Sequence, residues 1–196
     1  MRVTKIGQSQ SGGLIRLQRE GRLLPAGSYS DLVVREDLGW YVVSVAGLAA
    51  YDPTTGRVVG YEPHSGEYAS NALEQQIEDI FAQLDRLLSL LARSLGRRYV
   101  DRHIEAEAGP RDISLANLCR VSFYLRGEEP KSFARADDAY RAEFARRGVG
   151  VYPARITTMG HRFPAEAALV EMDFELAVRK TADEVKTTLA EWGIHA

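Results

Sequence analysis

Apolar residues fall at Leu73, Ile77, Ile80, Phe81, Leu84, Leu87, Leu88 and Leu91, with Glu74, Gln75, Glu78, Asp79, Asp85 and Arg86 between them. This 3.6-residue stripe predicts an amphipathic helix over 71–94. Asn71 and Glu74 have the spacing of a capping box at its start, and Gly96 suits its end. A second helix opens at Pro130, carries Phe133, Tyr140 and Phe144 on one side and stops at Gly148. Strand-like runs occupy 31–35 and 40–46, joined across Asp37, Leu38 and Gly39. A turn through Pro53 and Gly56 returns the chain to 57–59, so three antiparallel strands are expected here.

Residues 118–125 read as a buried strand, and two more strands are expected at 156–163 and 167–178, separated by Pro164. In the last, Val170, Met172, Phe174 and Leu176 alternate with Glu171, Asp173 and Glu175, which sends the carboxylates to the face away from the helices. Thr181 and Glu184 form a second capping box and open a short helix reaching Trp192. The order is βββαβαββα. Burial of each element is satisfied by an α/β architecture, a mixed sheet with both long helices on one face.

A chain of 196 residues fits one domain. Residues 1–26 form an N-terminal extension with a possible edge strand around Leu14–Gln18, residues 97–113 an insertion punctuated by Gly109-Pro110, and residues 181–196 an added C-terminal helix. Hydrophobic residues make up 45% of the chain, charged residues 27%, and the net charge is −2, a balance that argues against disorder and against a nucleic-acid partner. The lone cysteine, Cys119, excludes an intramolecular disulfide and a cysteine-rich zinc site. It falls in the buried strand pattern and is expected to be inert core. No apolar run reaches the ~18 residues of a membrane span, and the N-terminus lacks a signal-like apolar core. A soluble, cytoplasmic protein with no membrane contact is expected.

His103 and Glu105 have the His-x-Glu spacing of zinc deaminases, but the Pro-Cys-x-x-Cys pair that completes such a site is missing, so no metal is expected. His161 shares strand parity with Arg155, yet six residues of extended chain separate them by about 20 Å.

Several strings carry a resemblance: Gly39 to Gly56 with its Asp-Pro-x-Thr-Gly-like turn, Phe133-Ala134 with Tyr140, Pro153-Ala154-Arg155, and Ala168-Leu169-Val170-Glu171. Their order and spacing over roughly 27–178 are similar to the RidA/YjgF family. The resemblance implies a chorismate-mutase-like fold, a homotrimer with clefts between subunits, and cofactor-free hydrolysis of small carboxylated imines or enamines. It also implies site residues at Tyr29, Gly47, Arg155 and Glu171. The planar fork of Arg155 would hold the substrate carboxylate. The Gly47 amide and Tyr29 would hold the reacting end, and Glu171 or Asp173 would position water and move the proton. Taken alone, such an arginine is a structural ion-pair residue, such a tyrosine a packing residue, and such a glycine a strand bulge. The surrounding strings turn the reading.

Relatives place Ser-Gly-Gln where this chain has Ala46-Gly47-Leu48, a hydroxyl residue where it has Ile156, and asparagine where it has Asp137. These replacements point to a more apolar cleft and a larger, aromatic or unsaturated acid, handled by a deaminase or lyase. The other reading is a non-catalytic ligand-binding or interaction module on the same trimer.

Overall fold

The predicted stripe folds, in the computed structural model of the chain, into helix α1, Ala72–Ser94, and all eight of its apolar residues are buried. The structure describes residues 2–6, 18–19, 22–23, 32–52, 57–101, 109, 111–127, 130–164, 166–191 and 193. The start of α1 departs from expectation. Asn71 stands at the N-cap but its side chain accepts no capping bond. The Glu74 carboxylate that would close the box is instead taken by Arg135, which donates from Nε at 2.7 Å and Nη2 at 2.6 Å. The end follows expectation: Gly96 adopts φ +63, and Arg97 N donates to Ala92 O at 2.8 Å and Gly96 N to Arg93 O at 3.1 Å, a Schellman closure. Helix α2, Pro130–Arg146, ends in the same way over Gly148, with Val149 N bonded to Phe144 O at 3.1 Å.

The main sheet contains β1 (Arg2–Ile6), β2 (Leu32–Glu36), β3 (Trp40–Ala49), β4 (Leu118–Leu125), β5 (Ala154–Thr158) and β6 (Val170–Arg179). Its spatial order is β1-β2-β3-β6-β4-β5, antiparallel throughout except for the parallel pair β4/β5. Both long helices are contiguous, and α1 packs on the centre of the sheet at β3 and β6. Burial along β6 alternates strictly, as its sequence predicts. Phe81 of α1 lies at the centre of the core, edge-on to Phe174 of β6 at 5.8 Å and to Phe144 of α2 at 5.9 Å.

Three expectations need correction. Arg57–Val58 does not join the main sheet but pairs with Tyr51–Asp52 in a separate hairpin; Gly60, at φ +71, then turns the chain away. The third strand of the antiparallel set is β1, from the N-terminal segment. At the other end β5 stops at Thr158, short of the expected 163, and Gly160 at φ +77 redirects the chain. The expected edge strand at 14–18 lies outside the described residues but for Gln18, which belongs to a two-residue pairing with Arg22–Leu23.

The 97–113 segment is closed at its ends, where Val100 N meets Ile113 O at 2.8 Å and Ile113 N meets Arg98 O at 2.9 Å. Helix α3, Ala182–Glu191, carries the expected capping box: Glu184 N donates to Thr181 Oγ1 at 3.3 Å and Thr181 N to Glu184 Oε2 at 2.6 Å. No helix among the described residues is long and apolar enough to cross a membrane.

Candidate functional site

The carboxylates of β6 face away from the helices and meet the polar residues of β4, with Glu171 opposite Tyr124 and Asp173 opposite Ser122. On the other flank the β3/β6 register breaks: Met172 pairs with Leu48 but Phe174 pairs with Val45, so Ala46 and Gly47 both oppose Asp173. This is a β-bulge, with Gly47 at φ +66 in the left-handed region that glycine adopts without strain. Asp173 secures it. Its Oδ1 accepts the Gly47 N–H at 2.8 Å and its Oδ2 accepts the Tyr124 hydroxyl at 2.8 Å, which raises the Tyr124 phenol above its ordinary range. The Gly47 amide assigned to the substrate is therefore already engaged.

Glu171 is placed differently. No hydrogen bond from a described residue reaches its half-buried carboxylate, and a Cβ at Gly47 would lie 3.6 Å from its Oε1. Burial, and secondly the Asp173 charge, push its pKa up, while His161 opposes them. The His161 Nε2 is 3.0 Å from Thr158 Oγ1, and its ring stands edge-on to Tyr124 at 5.2 Å. Lower on the same face a hollow of about 200 Å³ is lined by Ser44, Ala46, Arg120, Tyr124, Asp173 and Glu175. The face thus groups a free carboxylate with raised proton affinity, an imidazole and a clamped Tyr-Asp pair.

A consequence for stability follows. A folded pKa above the unfolded one means that ionised Glu171 opposes folding once the pH exceeds the ordinary glutamate value, whereas both states are protonated in acid. Glu171→Gln is expected to raise the urea midpoint at pH 7, and the gain should vanish near pH 4. A gain unchanged between the two pH values would contradict this account of the carboxylate.

Arg155 lies on the opposite face of the sheet. It pairs in register with the inward-facing Val121, and its guanidinium sits over Tyr140 at 5.2 Å, Phe133 at 5.6 Å and Phe123 at 5.7 Å. Arg155 Nη1 bonds to Asp137 Oδ1, and Arg141 Nε holds Asp137 Oδ2 at 2.8 Å. Two arginines to one aspartate leave the cluster with a net positive charge. The crevice beside it, lined by Phe123, Phe133, Ala136, Asp137, Arg155 and Thr157, leaves no room for even a water-sized molecule, whereas ligand pockets usually hold about 300–1,000 Å³. Within one chain, Arg155 and Glu171 do not form one site.

Other residues fall as follows. Tyr29 and the His103/Glu105 pair lie outside the described residues. Leu48, expected to make the cleft apolar, is instead core at 1% exposure because the bulge reverses the alternation; exposed Ala46 and Ile156 remain on the open face. Cys119 is exposed rather than core, since the β4/β6 register shifts between Leu118 and Arg120; the partial burial of its thiol raises its pKa. His161, set aside by strand arithmetic in the sequence, and Tyr124, which the sequence did not mark, belong to the Glu171 group. Tyr124 was open to detection, because it shares strand parity with Ser122. Among the described residues no cluster of three His, Cys, Asp or Glu is arranged to hold a metal ion.

No protein-family model and no curated protein matches the sequence. Solved structures do match. YyfA of Yersinia pestis, a Rid-family protein of unknown function, aligns with a TM-score of 0.51 at 17% identity, covering 79% of this chain and 91% of that one. A Pseudomonas aeruginosa protein of unknown function aligns with a TM-score of 0.50 at 19% identity, covering 79% and 84%.

Proposed function

We propose that this chain, which has the fold of the Rid proteins, is a divergent member of that family that hydrolyses a small carboxylated imine or enamine without a cofactor. The observation that carries the reading is Glu171: a half-buried carboxylate, free of hydrogen bonds from described residues, with raised proton affinity, beside His161. A general base or acid works best when its pKa approaches the working pH, and burial moves Glu171 in that direction. Asp173 is bound at both oxygens, which leaves Glu171 as the shuttle of the two. Glu171 takes a proton from water as the oxygen adds to the C=N carbon. It returns that proton to the nitrogen, which gives the carbinolamine, and then carries the carbinolamine hydroxyl proton to the nitrogen as the C–N bond breaks, releasing ammonia and leaving a keto acid.

The carboxylate anchor is Arg155. Because it lies behind the sheet relative to Glu171, the reading requires a homotrimer in which Arg155 of one copy lines the cleft that holds Glu171 of the next. The net charge of the Arg155-Asp137-Arg141 cluster favours an anion there.

One observation favours a second reading, a non-catalytic binding module. Asp137 already occupies Arg155, so a substrate carboxylate must compete with it. The two readings separate in an ammonia-release assay on imines generated from a panel of amino acids by an amino-acid oxidase. Turnover is expected for the wild-type chain, with Arg155→Ala losing about 100-fold in kcat/KM, roughly the worth of a charge-assisted bidentate contact. Turnover that survives Arg155→Ala would remove the arginine from the site. Saturable binding without ammonia would favour the module.

A further inference from the structure

At the end of the sheet beyond Leu125, Ala49 and Val170 lies a cleft of about 700 Å³. One wall is a small hairpin, Tyr61–Glu62 paired with Glu67–Tyr68, whose two tyrosine rings stand 5.1 Å apart. The other wall is made by Arg162, Phe163, Pro164, Glu166 and Ala167, where the Phe163 ring is covered by the Arg126 guanidinium at 5.9 Å. Tyr51 completes the aromatic lining, and Val58 and Ala167 supply apolar surface.

Both walls are fixed to the body of the protein by one buried side chain. Gln76 of α1 is fully buried; its Nε2 donates to Val59 O at 3.0 Å and to Ala167 O at 3.4 Å, and its Oε1 accepts Leu169 N–H at 2.7 Å. Arg126 Nε adds a bond to Ala168 O at 2.7 Å. At the base of the hairpin, a Cβ on Gly60 would come within 2.8 Å of the Ala72 backbone, so glycine lets the hairpin press against the start of α1. The cleft is pre-formed by these contacts.

Its chemistry is specific. Tyr51 and Tyr68 keep 36% and 40% of their surface exposed. Arg162 and Glu166 are exposed on the rim, and among the described residues neither makes a hydrogen bond or an ion pair. Flat apolar walls select a planar ring by stacking. Of the cleft's two arginines, Arg126 is bonded to Ala168 O and lies over Phe163, so the exposed Arg162 selects a single negative group, preferably a carboxylate held in two parallel bonds. One carboxylate opposes a doubly charged phosphate and accepts an N–H or O–H donor instead. The volume lies within the range of small-molecule sites.

We propose that this cleft binds a planar aromatic monocarboxylate bearing a hydrogen-bond donor, at a site separate from the Glu171 face. The ring lies among Tyr51, Tyr61, Tyr68 and Phe163, the carboxylate bonds to Arg162, and the donor faces Glu166. His161, stacked on Phe163 at 6.3 Å and edge-on to Tyr124, lies between the cleft and the Glu171 group.

The test is calorimetric titration of the full chain with indole-3-acetate, which has ring, donor and carboxylate, with 1-naphthaleneacetate, which lacks the donor, with cyclohexaneacetate, which lacks the aromatic ring, and with AMP. Saturable binding is expected in the order indole-3-acetate, 1-naphthaleneacetate, cyclohexaneacetate, with AMP weaker than the first. Arg162→Gln should weaken indole-3-acetate about tenfold, the effect of one charge-assisted contact. Tyr61→Leu should lower the preference for the aromatic probes, while Glu171→Gln and Arg155→Ala leave affinity unchanged. The proposal is overturned if no probe binds, if AMP binds tightest, if cyclohexaneacetate matches the aromatic probes, or if Glu171→Gln abolishes binding that Arg162→Gln leaves intact.

Discussion

Glu171→Gln is expected to lower the kcat for ammonia release by about 10²- to 10⁴-fold, the usual contribution of a positioned acid-base group, while the protein stays folded and gains stability at neutral pH. Glutamine keeps the shape of the side chain and removes the proton it can exchange. No neighbour substitutes readily. Asp173 is committed to the Gly47 amide and the Tyr124 hydroxyl, and moving it would release the bulge that those bonds secure. His161 contacts Thr158 and Tyr124, and its charge opposes the upward shift of Glu171. Loss of turnover with gain of stability is a combination that a purely structural glutamate would not give. Wild-type kcat in Glu171→Gln would remove the shuttle from the mechanism.

Phe81→Ala is expected to cost about 3–5 kcal/mol of unfolding free energy, the range for deleting a buried aromatic ring. Phe81 is fully buried and touches three rings from two elements: Phe174 of β6, and Phe144 and Tyr140 of α2. The Arg147 guanidinium lies over its face at 5.2 Å, held by Asp85 and Glu143. Removing the ring opens a cavity where both helices meet the sheet and leaves that arginine with one fewer contact. Domains of this size retain roughly 5–15 kcal/mol in total, so the variant should sit close to unfolding. Urea denaturation measures the change. A loss under 1 kcal/mol would mean that this junction is not the centre of the core.

What the sequence revealed and what it concealed divide on locality. The α1 stripe and the alternation along β6 were legible because each reports one element's burial through its own period, and all three carboxylates of β6 faced as predicted. The Thr181/Glu184 box was legible for the same reason. The Asn71/Glu74 box failed because Arg135, far away in the chain, takes the glutamate. Leu48 was misplaced because the bulge at Ala46 and Gly47 resets the alternation of β3, and only pairing with β6 reveals it. The face occupied by Arg155 depends on its register against Val121, again a non-local fact. His161 reaches Tyr124 because the chain leaves β5 at Thr158 and bends at Gly160, so extended-strand arithmetic does not apply to it. The aromatic cleft escaped for a related reason, since its walls are far apart in sequence and meet through Gln76.

The proposed working site is composite, with Glu171 from one copy and Arg155 from its neighbour. Co-expression of Arg155→Ala and Glu171→Gln chains with different affinity tags, followed by isolation of doubly tagged oligomers, tests it most directly. Each variant alone should be nearly inactive, and the mixed oligomers should recover a measurable fraction of wild-type ammonia release, because some interfaces then combine an intact Arg155 with an intact Glu171. Mixed oligomers as inactive as their parents would contradict the composite site.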